Sequence, residues 1–146
     1  MFDYYQPTRI HFGSGRLREL GKITAKYGKK ALLVTTPDEP LRPLYERVKK
    51  ILSDEGIKVV HFDKVEPNPS DKMIEGGFEL LKKEACDVIV AVGGGSSIDT
   101  AKALAFTNGQ EKIDWDEILA YDSPYEAYAP YSDTVLPLIS VPTTSG

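Results

Sequence analysis

Apolar residues in this chain follow two alternating patterns. Some form short, nearly unbroken β-branched runs, and others recur every third or fourth position along longer stretches. The first pattern predicts strands buried on both faces, the second amphipathic helices. Ala31–Thr35, Lys58–Phe62, Val88–Val92 and Leu136–Val141 read as strands, and the alternating Thr8–Phe12 as a further short one. Leu17, Leu20, Ile23 and Tyr27 make a helical stripe that stops at Gly28. Leu41, Leu44, Tyr45, Val48, Ile51 and Leu52 make the most regular stripe, which ends before Gly56. Ser70 or Asp71 is placed to cap a helix that turns Met73, Ile74, Gly77, Phe78 and Leu81 inward. Past Gly93-Gly94-Gly95, Ser97 to Phe106 reads as a helix with Ile98, Ala101 and Ala105 on its buried face.

Strands alternating with amphipathic helices predict an α/β fold, a parallel sheet covered on both faces. Right-handed crossovers put every strand's C-terminal end on one edge of that sheet, where ligands of such folds bind. The polar residues that follow the strands gather there: Thr35 and Thr36, then Asn68, then Gly94 to Ser96, then Thr143 and Thr144. The glycine turn is the centre of this rim. A strand that feeds glycines and opens a helix leaves free backbone N–H groups at the positive end of the helix dipole, which is an anion site suited to phosphate. A plain strand-to-helix turn is the competing reading. Each partner also has a structural alternative. Ser96 and Asp99 have the spacing of a helix cap, Asn68 between two prolines can serve only to shape a turn, and Thr143 and Thr144 can be ordinary loop hydroxyls.

Composition excludes more than it identifies. The net charge of -4 and pI near 5.2 argue against a sequence-blind nucleic-acid binder. Cys86 is the single cysteine, so no internal disulfide forms. It precedes a buried strand and reads as structural. Met1–Pro7 lacks the basic and apolar regions of a signal peptide, and no apolar run approaches the ~20 residues of a membrane span. A cytoplasmic protein is the expectation. His11 and His61 read as packed or surface residues and not as metal ligands. The Tyr121, Tyr125, Tyr128 and Tyr131 series reads as part of a surface loop.

Several segments, taken together, resemble the iron-containing (group III) alcohol dehydrogenases. They are Phe12-Gly13-Ser14-Gly15, Val34-Thr35-Thr36, Pro67-Asn68-Pro69, Gly93-Gly94-Gly95-Ser96-Ser97-Ile98-Asp99-Thr100-Ala101-Lys102 and Val141-Pro142-Thr143-Thr144-Ser145-Gly146. The resemblance implies a Rossmann-like, doubly wound, mostly parallel sheet. Residues 1–146 would be an N-terminal dinucleotide-binding domain, followed in the parent protein by an all-helical domain that holds a divalent metal, Fe²⁺ or Zn²⁺. It implies that Gly95 and Ser96 cradle the pyrophosphate of NAD or NADP while Asn68, Thr143 and Thr144 line the groove. With Thr36, Gly94 and Asp99, these residues make up the expected cofactor-binding set. A small alcohol or aldehyde substrate and a homodimer are further implications.

Two departures from the family pattern matter. Members with an Asp at the end of the first core strand use it against the adenine ribose, and they tend to prefer NAD. Thr36 stands there in this chain, which leans the expectation toward NADP or dual use. Asp38 and Glu39 are near enough to act instead, and Arg42 is near enough to pair with a phosphate. The second departure is that the family's Asp and His metal ligands have no counterparts in these residues. The 146 residues are therefore expected to position cofactor without catalysing on their own. Sister chemistries on the same scaffold (maleylacetate reductase, glycerol dehydrogenase, dehydroquinate synthase) and a free-standing nucleotide-binding domain remain as alternatives. Ser96 and the Pro142–Gly146 segment favour the alcohol dehydrogenase branch.

Overall fold

The computed structural model describes residues 6–119 and 134–144. Four strands form one wholly parallel sheet: β1 (Lys30–Val34), β2 (Lys58–Phe62), β3 (Val88–Gly93) and β4 (Leu138–Pro142), in the order β2-β1-β3-β4. Among the described residues, five α-helices accompany them: α1 (Leu20–Thr24), α2 (Arg42–Asp54), α3 (Asp71–Glu84), α4 (Gly95–Thr107) and α5 (Trp115–Leu119).

The handedness of the crossovers explains the layering. The chain passes from β1 outward to β2 through α2, then reverses, crossing β1 through α3 to reach β3 and continuing through α4 to β4. A right-handed crossover in the reversed direction must use the opposite face. Accordingly Leu20, Tyr45, Val48 and Leu52 of α1 and α2 pack on Ala31, Leu33, Val88 and Val90. Phe78, Leu81, Ala101 and Leu104 of α3 and α4 pack on Leu32, Val34, Ile89 and Ala91. Adjacent strand residues point to opposite faces, so the unbroken apolar runs of β1 and β3 feed both cores.

Several expectations need correction. Thr8–Phe12 is not a strand: it pairs with no strand among the described residues, and Ile10 and Phe12 are 69% and 91% exposed. Alternation alone cannot make a strand without a ladder partner. The first helical stripe breaks into a 3-10 turn, Arg16–Glu19, and the short α1. Tyr27 lies outside both and is largely exposed. Gly28 does not end that helix by adopting a left-handed conformation. It is required because a Cβ there would run into the Asp87 carboxylate, which accepts from the Lys29 and Lys30 amides at 2.8–2.9 Å. β4 starts at Leu138 because the Leu136 amide is taken by the carbonyl of Ala105, in the last turn of α4, at 3.1 Å. The predicted Ser70 cap forms as expected, its Oγ accepting from the Met73 amide. The tyrosine series and Ser145-Gly146 lie outside the described residues. No helix among the described residues is long and apolar enough to cross a membrane.

Candidate functional site

Strand order reverses between β1 and β3, and there the two strands part. Their ladder ends at Val34 opposite Ala91. Beyond it Thr35 spends both backbone groups on the β2 side: its amide donates to Phe62 O at 3.0 Å, and its carbonyl accepts from Val65 N at 3.2 Å. The Gly93 carbonyl is taken from the other side by the Thr143 amide at 3.0 Å. One strand leans toward β2 and its neighbour toward β4, so a crevice opens at the C-terminal edge. This is the position where ligands of doubly wound sheets bind.

The N-terminus of α4 stands at this crevice. Gly94 is its N-cap, with no side-chain cap, and the Ile98 amide is the first to bond back, to Gly94 O at 3.2 Å. The amides of Gly95, Ser96 and Ser97 are left without an intrahelical acceptor, at the positive end of a 13-residue helix. Each glycine of the turn has its own physical reason. Gly93 has φ +153° and a Cβ there would meet Ser97 Oγ. Gly94 is crowded by the Thr144 side chain, whose Cγ2 would lie 3.3 Å from an added Cβ. Gly95 faces open space, with nothing within 4 Å of that position. Ser97 is fully buried beneath the turn, and its Oγ has no hydrogen-bond partner. The accessible amides of Gly95 and Ser96 and the open approach at Gly95 fit a diphosphate, whereas the Ser97 hydroxyl is buried away from it.

The sequence-predicted residues are not all brought together. Gly94, Gly95, Ser96, Thr143 and Thr144 meet at one end of the crevice, and Thr36 stands at the end of β1 on its other side. Ser96 sits inside the helix, its carbonyl accepting from Thr100 Oγ1 at 2.8 Å, so it is not the cap. Asp99 does not cap either. It pairs with Lys102 at 3.1 Å on the solvent side, and no contact ties it to the glycine turn. The capping reading fails because the helix starts two residues earlier than its apolar spacing implied. Asn68 takes a left-handed φ of 56° in the turn before α3, and its side chain bonds neither Thr36 nor the glycine turn.

Sequence reasoning missed the polar group around Thr36. An open cavity of about 210 Å³ lies there, lined by Thr36, Arg42, Tyr45, Lys49, His61 and Asp63 among others. His61 Nε2 is 2.9 Å from Thr35 Oγ1, which gives its own proton to Thr36 O, so His61 is the donor in this pair. Burial, then the nearby Lys49 charge, lowers the pKa of His61. The signal was present in Tyr45, an apolar-stripe residue with a hydroxyl at its tip.

Over residues 7–146 the sequence matches the iron-containing alcohol dehydrogenases. The chain belongs to that family. It is 42% identical over 141 residues to a choline dehydrogenase of Bacillus subtilis (strain 168), covering 96% of this chain and 34% of that protein. It is 33% identical over 149 residues to an NAD-dependent methanol dehydrogenase of Bacillus methanolicus, covering 100% and 36% respectively. Among solved structures, an archaeal halo-thermophilic Red Sea brine pool alcohol dehydrogenase superposes with a TM-score of 0.85 at 37% identity, covering 100% of this chain and 37% of that one. The chain thus spans about a third of the length of these relatives. Among the described residues no group of His, Cys, Asp and Glu is placed to hold a metal ion.

Proposed function

We propose that residues 1–146 are the dinucleotide-binding domain of an NAD(P)-dependent, metal-dependent alcohol dehydrogenase. The whole protein would move hydride between nicotinamide and a small alcohol or the corresponding aldehyde, as a cytoplasmic homodimer. The observation that supports this best is the bare N-terminus of α4 at the strand-order reversal, with open space over Gly95. The names of two relatives, the NAD-dependent methanol dehydrogenase and a probable NADH-dependent butanol dehydrogenase of Bacillus subtilis, support the same cofactor class.

In this reading each residue has a limited task. The amides of Gly95 and Ser96 take the diphosphate charge, at a helix end whose dipole favours it. Gly95 lets the ligand reach the backbone, and Thr144 walls the site beside Gly94. Thr36 borders the ribose side. When bound, the nicotinamide supplies the hydride donor or acceptor, and the domain contributes placement.

Titration with NAD⁺, followed by calorimetry or by Trp115 and tyrosine fluorescence, tests the reading. Saturable one-to-one binding is expected, and no saturable binding would contradict it. The purified 146 residues with Fe²⁺ or Zn²⁺ should not reduce an aldehyde with NAD(P)H; robust turnover would overturn that part.

A further inference from the structure

His61 holds the exit of β1 against β2. It lies opposite Leu33 in the β1–β2 ladder, two residues short of the point where β1 parts from β3. From there its ring reaches the two residues that follow the strand. Nε2 lies 2.9 Å from Thr35 Oγ1, with His61 donating because Thr35 gives its own proton to Thr36 O. The ring also meets the buried Tyr45 ring edge-on, centroids 6.1 Å apart and planes at 70°. The Tyr45 hydroxyl in turn lies 2.9 Å from Thr36 Oγ1.

These contacts bear on the width of the crevice. Its β3 side is tied to β4 through Gly93 and Thr143, so the free variable is where β1 leaves the sheet. Thr35 is fully buried, and its links to β2 decide that position. Two of them are backbone bonds, to Phe62 O and from Val65 N, which any residue at 35 other than proline could make. The bond from His61 is the one that depends on side chains. Moving Thr35 toward β3 would break it and leave a buried ring nitrogen and hydroxyl poorly paired, which opposes closure of the crevice.

We infer that His61 is a positioning residue for the dinucleotide, holding Thr35 and Thr36 toward β2 so that one nucleoside half can pass between β1 and β3. This rests on the diphosphate reading of α4, from which a bound dinucleotide extends across the crevice past Thr36. His61 acts through Thr35 and Tyr45 and not by touching the ligand.

The test is calorimetry with NAD⁺ and with inorganic pyrophosphate on wild type, His61→Leu, His61→Gln and Thr35→Val. Pyrophosphate reaches only the α4 amides, whereas NAD⁺ also extends past Thr36. His61→Leu keeps apolar bulk but removes the donor. It should weaken NAD⁺ about fivefold, the effect of one hydrogen bond, and leave pyrophosphate affinity unchanged. His61→Gln retains an N–H donor and should restore NAD⁺ affinity to within about twofold of wild type. Thr35→Val removes the other end of the same bond and should match His61→Leu, which keeps the test open if His61→Leu does not fold. The double variant should lose no more than either single one, because the two residues share one interaction. Wild-type NAD⁺ affinity in both His61→Leu and Thr35→Val would overturn the inference and leave the diphosphate site standing. So would a loss shared equally by pyrophosphate or by His61→Gln, which would mark His61 as merely structural. If wild type binds neither NAD⁺ nor pyrophosphate, the diphosphate reading itself fails and this inference with it.

Discussion

The Thr143 amide donates to the Gly93 carbonyl at 3.0 Å, one residue past the point where Pro142 lies opposite Gly93 in the β3–β4 ladder. This bond makes the exit of β4 and the glycine turn a single rigid piece. It also draws the Thr144 side chain against Gly94. β1 makes no such link to β3 past Val34, so the crevice is tied on one side and open on the other.

The glycines of that piece should separate stability from binding. Gly93→Ala places a Cβ at φ +153° against Ser97 Oγ, and should cost about 1–3 kcal/mol in unfolding experiments. Gly95→Val meets no neighbour and should leave the melting temperature close to wild type. It should nonetheless weaken NAD⁺ binding about tenfold or more, by filling the approach to the amides. Equal NAD⁺ affinity in Gly95→Val would show the turn to be merely structural.

Asp87 ties the start of β1 to the start of β3, accepting from the Lys29 and Lys30 amides while its own amide donates to Lys30 O at 2.9 Å. Asp87→Ala removes the carboxylate acceptor, and should cost about 1–2 kcal/mol in urea unfolding, reduced by the exposure of the site. Asp87→Asn, which keeps one oxygen, should lose less. Equal losses would show that charge and not acceptance matters.

His61 sets a pH dependence whose sign follows from its burial. Its folded-state pKa lies below the ordinary 6.5, so the unfolded chain binds more protons between the two values. The stability it contributes is complete above about 6.5 and falls as pH drops from there through the folded-state value. Lys49 adds to the lowering, while Asp63 and Glu46 oppose it. Urea midpoints measured from pH 7.5 down to 5 should fall more steeply for wild type than for His61→Gln. Parallel curves would remove His61 from the account.

Cys86 should be inert. It is buried, and burial pushes its thiol up to about 11, so only about 0.1% is thiolate at pH 8. A thiol reagent should label it slowly in the native protein and at once in denaturant. Rapid native labelling would mean that the Ala85–Asp87 corner opens.

The fold was legible because β1 and β3 carry unbroken apolar runs and α2 and α3 carry regular stripes, which report burial directly. Thr8–Phe12 was misread because period-two alternation is necessary for a half-buried strand but says nothing of a partner. The start of α4 was misread because its first residues are glycine and serine, poor helix formers that a helix tolerates at its N-terminus. The glycine turn and its approach by Thr143 and Thr144 were legible, since strand ends in a parallel sheet share one edge. The 2.9 Å contact between the Thr36 and Tyr45 hydroxyls was not, because it depends on where the tip of a buried tyrosine lands.

The central claim is that a diphosphate sits on the free amides of α4. A crystal structure of the protein grown with NAD⁺ tests it most directly. Phosphate oxygens should lie about 3 Å from the backbone nitrogens of Gly95 and Ser96, within hydrogen-bond range. A bound dinucleotide whose phosphates lie elsewhere, or a glycine turn left empty at saturating NAD⁺, would contradict it.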